Sequence, residues 1–184
     1  MTSRHALLSV IWIFAIVMSS CVATIDGRIS TEMYTKPSNK NTFVVVTPSF
    51  PSLTEKQIAT LIEKKMIEKG FSKASSKKTA DIGVFYSYSI GNGSNQILST
   101  PDFVVGGHAI YSETVYPRFF QIVIIDLAKT RLPNKIAIIW QGELRSKGSS
   151  DNIIDVAQYF IGALFSSYGK TVTNKGFLRI APPF

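Results

Sequence analysis

The stretch ADIGVFYSYSI, residues 80–90, is the clearest strand pattern in the chain and decides the fold. Apolar and tyrosine side chains occupy every second position from Ile82 to Ile90, and they alternate with Asp81, Gly83, Phe85, Ser87 and Ser89. Strict alternation predicts a strand with one packed face and one wetter face, which is typical of antiparallel sheets.

Other apolar stretches predict the partners of this strand. Residues 119–127 and 136–145 are joined by the polar connection 129–135, as in an antiparallel hairpin. Residues 42–47 are rich in β-branched side chains and predict a strand that ends before Pro48. Residues 177–180 are compatible with an additional edge strand. Residues 22–41 are polar and irregular, so we expect a tether there, with at most a short strand near Met33.

Two helices are predicted by apolar spacing and by their end signals. Ser52 and Glu55 form a capping box at the start of a helix over residues 52–69, and Gly70 ends it. A second helix over residues 151–167 would be capped by Ser150 or Asp151. Its apolar stripe consists of Ile153, Ile154, Ala157, Phe160, Ile161, Leu164 and Phe165. We expect one α+β domain over residues 42–184, a mainly antiparallel sheet with both helices packed on one face.

The start of the chain predicts export and a lipid anchor. Arg4 precedes an apolar run over residues 6–18, which is too short to span a bilayer and typical of a secretory signal. The following Ser19-Ser20-Cys21 resembles a bacterial lipobox, whose Cys is lipidated after cleavage just before it. We therefore expect a signal peptide over residues 1–20, acyl chains such as palmitate on Cys21, and a tether over residues 21–41. Ordinary cleavage near Val22 or an uncleaved anchor are the alternatives.

Composition narrows the classes of function. The 184 residues are 45% hydrophobic, and the lone Cys21 excludes an internal disulfide framework. A formal net charge of +8 favours anionic partners such as lipid headgroups or acidic proteins, while export argues against nucleic acid. By resemblance to enterobacterial sorting, Val22 after the Cys implies the outer membrane, with the domain facing the periplasm.

Short motifs resemble one bacterial lipoprotein family, known as domain of unknown function 4136, over residues 42–168. The residues that carry the resemblance are Lys69-Gly70 at a helix end, Ala80-Asp81 opening a strand, and Asp126 with Trp140-Gln141-Gly142 in the hairpin. The chain departs from the family in its longer hairpin connection, where Leu132-Pro133 replaces the usual Gly, and in its extension after Gly169. The family has no agreed activity, so the resemblance implies fold and localisation.

Residues suited to catalysis are sparse. Outside His5 in the signal, His108 is the single His, and no phosphate-binding or dinucleotide glycine motif occurs. Asp81 and Asp126 at strand ends are candidates for acid–base work, although such residues more often cap strands. We predict no enzyme activity, no cofactor and no metal site.

The segment over residues 91–117 is either an irregular β-ribbon or a mobile loop, and it carries the predicted binding residues Phe103, Tyr111 and Tyr116. Three further candidates, Lys73, Lys77 and Lys78, follow the first helix. We predict an accessory, protein-binding lipoprotein of an envelope assembly, such as a secretion or transport complex. The alternatives are a lipid or glycan carrier or sensor, with a groove between the sheet and this segment, and a hydrolase using Asp81, Asp126 or His108.

Overall fold

The structure is a computed structural model that describes residues 24–35, 42–102, 107–130 and 136–180. The strands are β1 (Thr24–Met33), β2 (Thr42–Val45), β3 (Ser72–Lys73), β4 (Ile82–Ile90), β5 (Ser94–Asp102), β6 (Gly107–Asp126), β7 (Ile138–Gly148) and β8 (Val172–Ile180). The helices are α1 (Leu53–Glu68), the one-turn α2 (Leu127–Thr130) and α3 (Ile154–Ser166). The described chain is therefore a mixed α/β fold.

Eight strands form the sheet, in the order β3-β2-β4-β6-β7-β1-β8, with β5 pairing beside this path on β6. β2 pairs in parallel with β3 and β4, and the remaining pairings are antiparallel. The prediction of a mainly antiparallel sheet is confirmed. The central strand β4 corresponds to the stretch that was predicted from alternation, and β6 and β7 contain the two apolar stretches that were predicted as a hairpin.

The predicted hairpin is formed by β6 and β7, with Phe120 opposite Leu144 and Ile124 opposite Trp140. Its connection begins with α2, where the Asp126 carboxylate accepts the Lys129 amide N–H at 2.9 Å. Leu132 and Pro133 lie outside the described residues. β6 begins much earlier than residue 119, because its first half pairs with β5.

The prediction of an irregular tether over residues 22–41 is wrong for residues 24–33, which form β1 between β7 and β8. Its local pattern is weak because, over residues 27–33, Ile29 is the single strongly apolar side chain at a buried position. Thr31 is buried too, and its hydroxyl donates to the Lys170 carbonyl at 2.8 Å. The partners of β1 lie more than a hundred residues away, so local sequence does not indicate them.

Both long helices form where they were predicted. At the start of α1 the capping box is confirmed: Ser52 N–H donates to Glu55 Oε2 at 2.6 Å, and Glu55 N–H donates to Ser52 Oγ at 3.2 Å. The predicted cap of the second helix is wrong, because the N-cap is Ile153, which has no side-chain cap hydrogen bond. Just before it, Asn152 Oδ1 accepts the Ile154 N–H at 3.1 Å. The Ser150 hydroxyl instead donates to the side chain of Asp155.

The main core unites side chains of α1, α3 and the sheet. Its largest fully buried members are Trp140, Phe43, Phe120, Phe160 and Phe165. The predicted stripes of both helices are buried in it, apart from the half-buried Leu61 and Ile154. A second, small cluster of Ala80, Ile125 and Leu127 forms beside α2. No helix within the described ranges is both long and apolar enough to cross a membrane.

Candidate binding groove

A groove of about 790 Å³ is lined by residues of β4, β6, β7, β1 and β8. Phe119 and Arg145 lie opposite each other in its lining. They are the chain neighbours of Phe120 and Leu144, which are fully buried in the main core. Because successive side chains of a strand point to opposite faces, the groove lies on the sheet face that the main core leaves free.

Cations dominate the charge of this groove. Its lining contains Arg28, Arg145 and Lys147, and the carboxylate of Glu143 is the one acid among the lining residues whose side chains the structure describes. The Arg145 guanidinium lies 5.6 Å from the ring centroid of Phe119, and its Nε is 3.5 Å from Glu143 Oε1. The side chain of Arg145 is 71% exposed, so this ion pair contributes little and leaves the cation available to a ligand.

The outer wall of the groove is shaped by an irregularity where β1 meets β8. Asn174 has a φ of 49°, in the left-handed region that Asn tolerates better than most residues. Its amide N–H donates to Ser30 Oγ at 3.1 Å, and its Oδ1 accepts a long hydrogen bond of 3.4 Å from Arg28 Nη1. These contacts place the Arg28 guanidinium at the rim of the groove.

A smaller groove of about 310 Å³ continues along the same sheet face. It shares Ser30 and Glu143 with the larger one and adds the amides of Gln121 and Gln141. The remaining lining consists of Thr31, Glu32, Thr171, Val172 and Thr173. The two grooves together form a polar strip that crosses several strands and is suited to an elongated ligand.

Arg118 is a buried cation beneath the groove and serves the fold. Its Nε and Nη2 atoms donate to the Ser150 carbonyl at 3.1 and 2.8 Å, which ties β6 to the approach of α3. Burial lowers the pKa of Arg118, and the nearby Asp155 carboxylate opposes this shift. Gly148 leaves room for the guanidinium, because a Cβ at Gly148 would lie 2.9 Å from Nη1.

The predicted lysines lie far from this groove. Lys73 pairs with Glu63 at 2.7 Å, the Nζ of Lys77 lies 5.9 Å from the ring centroid of Phe85, and Lys78 also interacts with another residue. Lys73 ends β3, and Lys77 and Lys78 lie between β3 and β4, at the end of the sheet where β4 begins. Tyr116 lies at the other end, half-buried and opposite Gly148. The structure therefore does not bring Tyr116 together with the three lysines.

The segment over residues 91–117 forms a β-ribbon in its described part. β5 pairs with residues 107–115 of β6, so Tyr111 is opposite Leu98 and His108 is opposite Pro101. The side chains of Tyr111 and His108, like the whole of Phe103 and Cys21, lie outside the described part of the molecule. Gly91 and Pro117, the two ends of this segment, line the larger groove.

Asp81 and Asp126 have structural partners. One carboxylate oxygen of Asp81 accepts from the amide N–H and the hydroxyl of Thr42, at 3.2 and 2.8 Å, which joins β2 to the start of β4. Asp126 caps α2 and lies 3.9 Å from Lys129 Nζ. Within the residues that the structure describes, no group of three His, Cys, Asp or Glu side chains could hold a metal ion.

Sequence reasoning missed the groove residues Arg28, Phe119 and Arg145. A signal for part of the groove was present, since Gln141, Glu143, Arg145 and Lys147 are alternate polar positions of the predicted strand 136–145 and its extension. The contribution of Arg28 was hidden, because it depends on the pairing of β1 with β7 and β8.

Together these features define a class of protein: a small α/β domain with a mostly antiparallel sheet and an open, charged groove. The chain belongs to the family described as domain of unknown function DUF4136, whose profile matches residues 32–168. The resemblance seen in the short motifs is thus confirmed. The family description assigns no activity.

Two solved structures are similar to the chain at low identity, and the first shows the same fold. A PDZ domain protein from Parabacteroides distasonis ATCC 8503 is 14% identical with a TM-score of 0.53, over 90% of this chain and 41% of that protein. The chain thus spans about two fifths of that protein's length. A DUF4136 family protein from Bacteroides thetaiotaomicron VPI-5482 is 17% identical with a TM-score of 0.46, over 75% of this chain and 93% of that one. No curated protein matches the chain.

Proposed function

We propose that this protein is a non-enzymatic lipoprotein of the outer membrane that faces the periplasm. In this proposal it binds other envelope proteins as an accessory component of an assembly such as a secretion or transport complex. The observation that carries the proposal is the open, cationic groove on the sheet, with Phe119 beneath the Arg145 guanidinium.

We also infer that α1 and α3 cover one face of the sheet and that the groove occupies the other. The core side chains of both helices belong to one cluster with Ile122 and Ile124 of β6. Groove residues occupy the alternate positions of the same strands. Among the described helices, the one-turn α2 also lies on the groove face, where its Leu127 packs with Phe85 and Val123. The part of that face around the groove is open to a second molecule.

The shape and chemistry of the groove favour a protein segment as its ligand. It is long and open to solvent, and an aromatic ring with arginines is the combination enriched at protein interfaces. Arg28, Arg145 and Lys147 outnumber Glu143 in its lining, which favours an acidic partner through charge complementarity. We therefore expect the partner to present an extended acidic segment.

Reversing the groove charge tests this proposal. We expect the double variant Arg145→Glu and Lys147→Glu to lose the envelope proteins that co-purify with the lipidated wild type in mild detergent. The matched control is Lys56→Glu with Lys64→Glu, which makes the same change of charge on exposed positions of α1. If the groove variant keeps every partner, or if both variants lose them equally, the groove is not the docking site.

The anchor is tested separately. Replacing Cys21 with Ser should release the protein into the soluble periplasmic fraction. Mass spectrometry of the wild type should find acyl chains on Cys21. A Cys21→Ser protein that stays with membranes after a salt wash, or a wild type without acyl chains, would contradict the anchor.

A second candidate function is the binding of an anionic lipid headgroup or glycan, and one observation favours it. Gly91 and Pro117 line the larger groove, so it lies between the sheet and the segment 91–117. Arg28, Arg145 and Lys147 would then contact phosphate or carboxylate groups. Native mass spectrometry separates the two candidates. A bound lipid or glycan that the Arg145→Glu and Lys147→Glu variant loses would favour the carrier.

A further inference from the structure

We propose that the ribbon, Ser94–Asp102 of β5 paired with residues 107–115 of β6, contacts the phospholipid bilayer that holds Cys21. The contact is made through Ile97 and Ile110. This inference rests on the proposed lipid anchor and adds to it the orientation of the domain on the membrane.

The ribbon projects beyond the rest of the sheet. β5 pairs with β6 alone among the described strands. Ile97 is opposite Ser112 and Ile110 is opposite Ser99, so the two isoleucines are diagonal neighbours on one face of the ribbon. Ile97 is 78% exposed and Ile110 is 74% exposed. An apolar phase would bury both side chains.

Strand register relates the ribbon to the anchor. Asp26 of β1 and Pro117 of β6 both pair with Lys147, so they lie at one level of the sheet. β1 and β6 are both antiparallel to β7, and therefore both chains extend from this level toward their N-termini in the same direction. The anchor and the tip of the ribbon leave the sheet at the same end.

Counting residues from that level shows which feature reaches further. Cys21 precedes Asp26 by five residues, whereas Ile110 precedes Pro117 by seven. At about 3.3 Å per extended residue, a chain of five residues reaches at most roughly 17 Å, whereas Ile110 lies roughly 23 Å from the level of Lys147 along β6. The ribbon therefore extends past the point where the acyl chains of Cys21 enter the bilayer.

The composition of the ribbon favours apolar contact over charge attraction. Residues 91–116 contain no Lys or Arg, and Asp102 and Glu113 are their two acids. Binding to anionic lipid through basic residues is thus not available to this segment. We expect the ribbon to contact the bilayer equally well at low and high salt, unlike the cationic groove.

A probe on the ribbon tests the inference. The lipidated variant Ile110→Cys is labelled with a thiol-reactive form of the polarity-sensitive dye NBD. The dye labels the introduced Cys alone, because the thiol of Cys21 is already acylated. The protein is placed in vesicles of phosphatidylethanolamine and phosphatidylglycerol, with and without nitroxide lipids. The matched control is Ile136→Cys, an isoleucine with 76% exposure that precedes β7 at the opposite end of the sheet.

We expect the emission of the Ile110 probe to shift to the blue and to be quenched by nitroxide lipids, with neither change at Ile136. Flotation of the same vesicle samples in a density gradient shows whether the protein is anchored to the membrane. A protein that floats while the Ile110 probe stays aqueous overturns the membrane contact and leaves the anchor intact. An Ile110 probe that shifts in native membranes and not in vesicles assigns the ribbon to a protein partner and overturns the inference. A protein that does not float overturns the anchor and the inference together.

Discussion

The indole of Trp140 lies directly over Gly142, so that a Cβ built on Gly142 would be 2.6 Å from Trp140 Cη2. The two residues are two apart on β7 and therefore share a face of the strand. The same Cβ would lie 3.1 Å from Cδ2 of Leu164 on α3. The Trp-x-Gly motif thus has a packing reason: the glycine leaves the space in which the tryptophan ring meets the helix.

Replacing Gly142 with Ala should destabilise the protein by about 1–3 kcal/mol, because the indole or the helix must shift to admit the new methyl group. Urea denaturation followed by circular dichroism measures the change. Gly176→Ala on β8 is the control, since nothing lies within 4 Å of its Cβ position. Equal stability of the two variants would show that the ring moves aside at no cost.

Replacing Trp140 with Ala should cost about 3–5 kcal/mol, since the side chain is fully buried. The ring contacts Tyr168 and Phe165 with centroid distances of 5.4 and 6.3 Å, and these contacts are lost as well. Thermal unfolding followed by circular dichroism is the suitable measurement, because the substitution removes the fluorophore. An unchanged midpoint would contradict the buried position of Trp140.

Stability should depend on alkaline pH through Tyr86. Burial, followed by the charges of Glu55 and Tyr88, raises the pKa of Tyr86 to about 12. The folded chain then keeps a phenol proton that the unfolded chain loses near pH 10. The contribution of Tyr86 to stability is fully present below about pH 10. The free energy of unfolding then falls as the pH rises from about 10 to about 12.

Tyr86→Phe checks that assignment. The phenol donates to the Glu55 carbonyl at 2.8 Å, so its loss should cost about 0.5–1.5 kcal/mol at neutral pH. The variant should also lose less stability between about pH 10 and 12 than the wild type does. Burial raises the pKa of Tyr168 too, so part of the alkaline slope will remain. If the free energy of unfolding of the variant falls between about pH 10 and 12 as steeply as that of the wild type, Tyr86 does not cause the alkaline loss of stability.

Thr42→Val should destabilise the junction of β2 and β4 by about 1–3 kcal/mol, because the hydroxyl donates to Asp81 at 2.8 Å and accepts from the Asp81 amide at 3.1 Å. The valine keeps the β-branched shape and removes these bonds. Thr173→Val, at an exposed position of β8, is the control. In chemical denaturation, the midpoint of Thr42→Val should be lower than that of Thr173→Val. Equal midpoints would show that the hydrogen bonds of Thr42 do not stabilise the fold.

Local patterns predicted the parts of the fold whose signals are local. The alternation of residues 82–90 and the capping box of Ser52 and Glu55 each correspond to one element, and both were found as expected. The start of α3 was misplaced because Ser150 and Asp151 resemble N-cap residues in the sequence, whereas the helix begins after Ile153 without a side-chain cap. β1 escaped prediction because its buried positions include Thr31 and a glycine, and because long-range pairing defines it.

The candidate site was harder to predict for the same reason. Tyr116 was chosen for its aromatic ring, but it is half-buried at the base of the ribbon. The groove residues Arg28 and Arg145 are opposite each other across β1 and β7, although more than a hundred residues separate them in the chain. A single sequence does not contain that register, and the groove exists only through it.

The place of β1 in the sheet also sets an order of events for folding. Thr24 pairs with Ile180, so β1 cannot be enclosed until the chain has been made as far as β8. Closing so long a loop is slow compared with forming local structure. Under the proposed lipid anchor, Cys21, three residues before β1, would therefore be modified while the backbone of β1 is still unpaired. Among the described strands, the last in the chain completes the enclosure of the first.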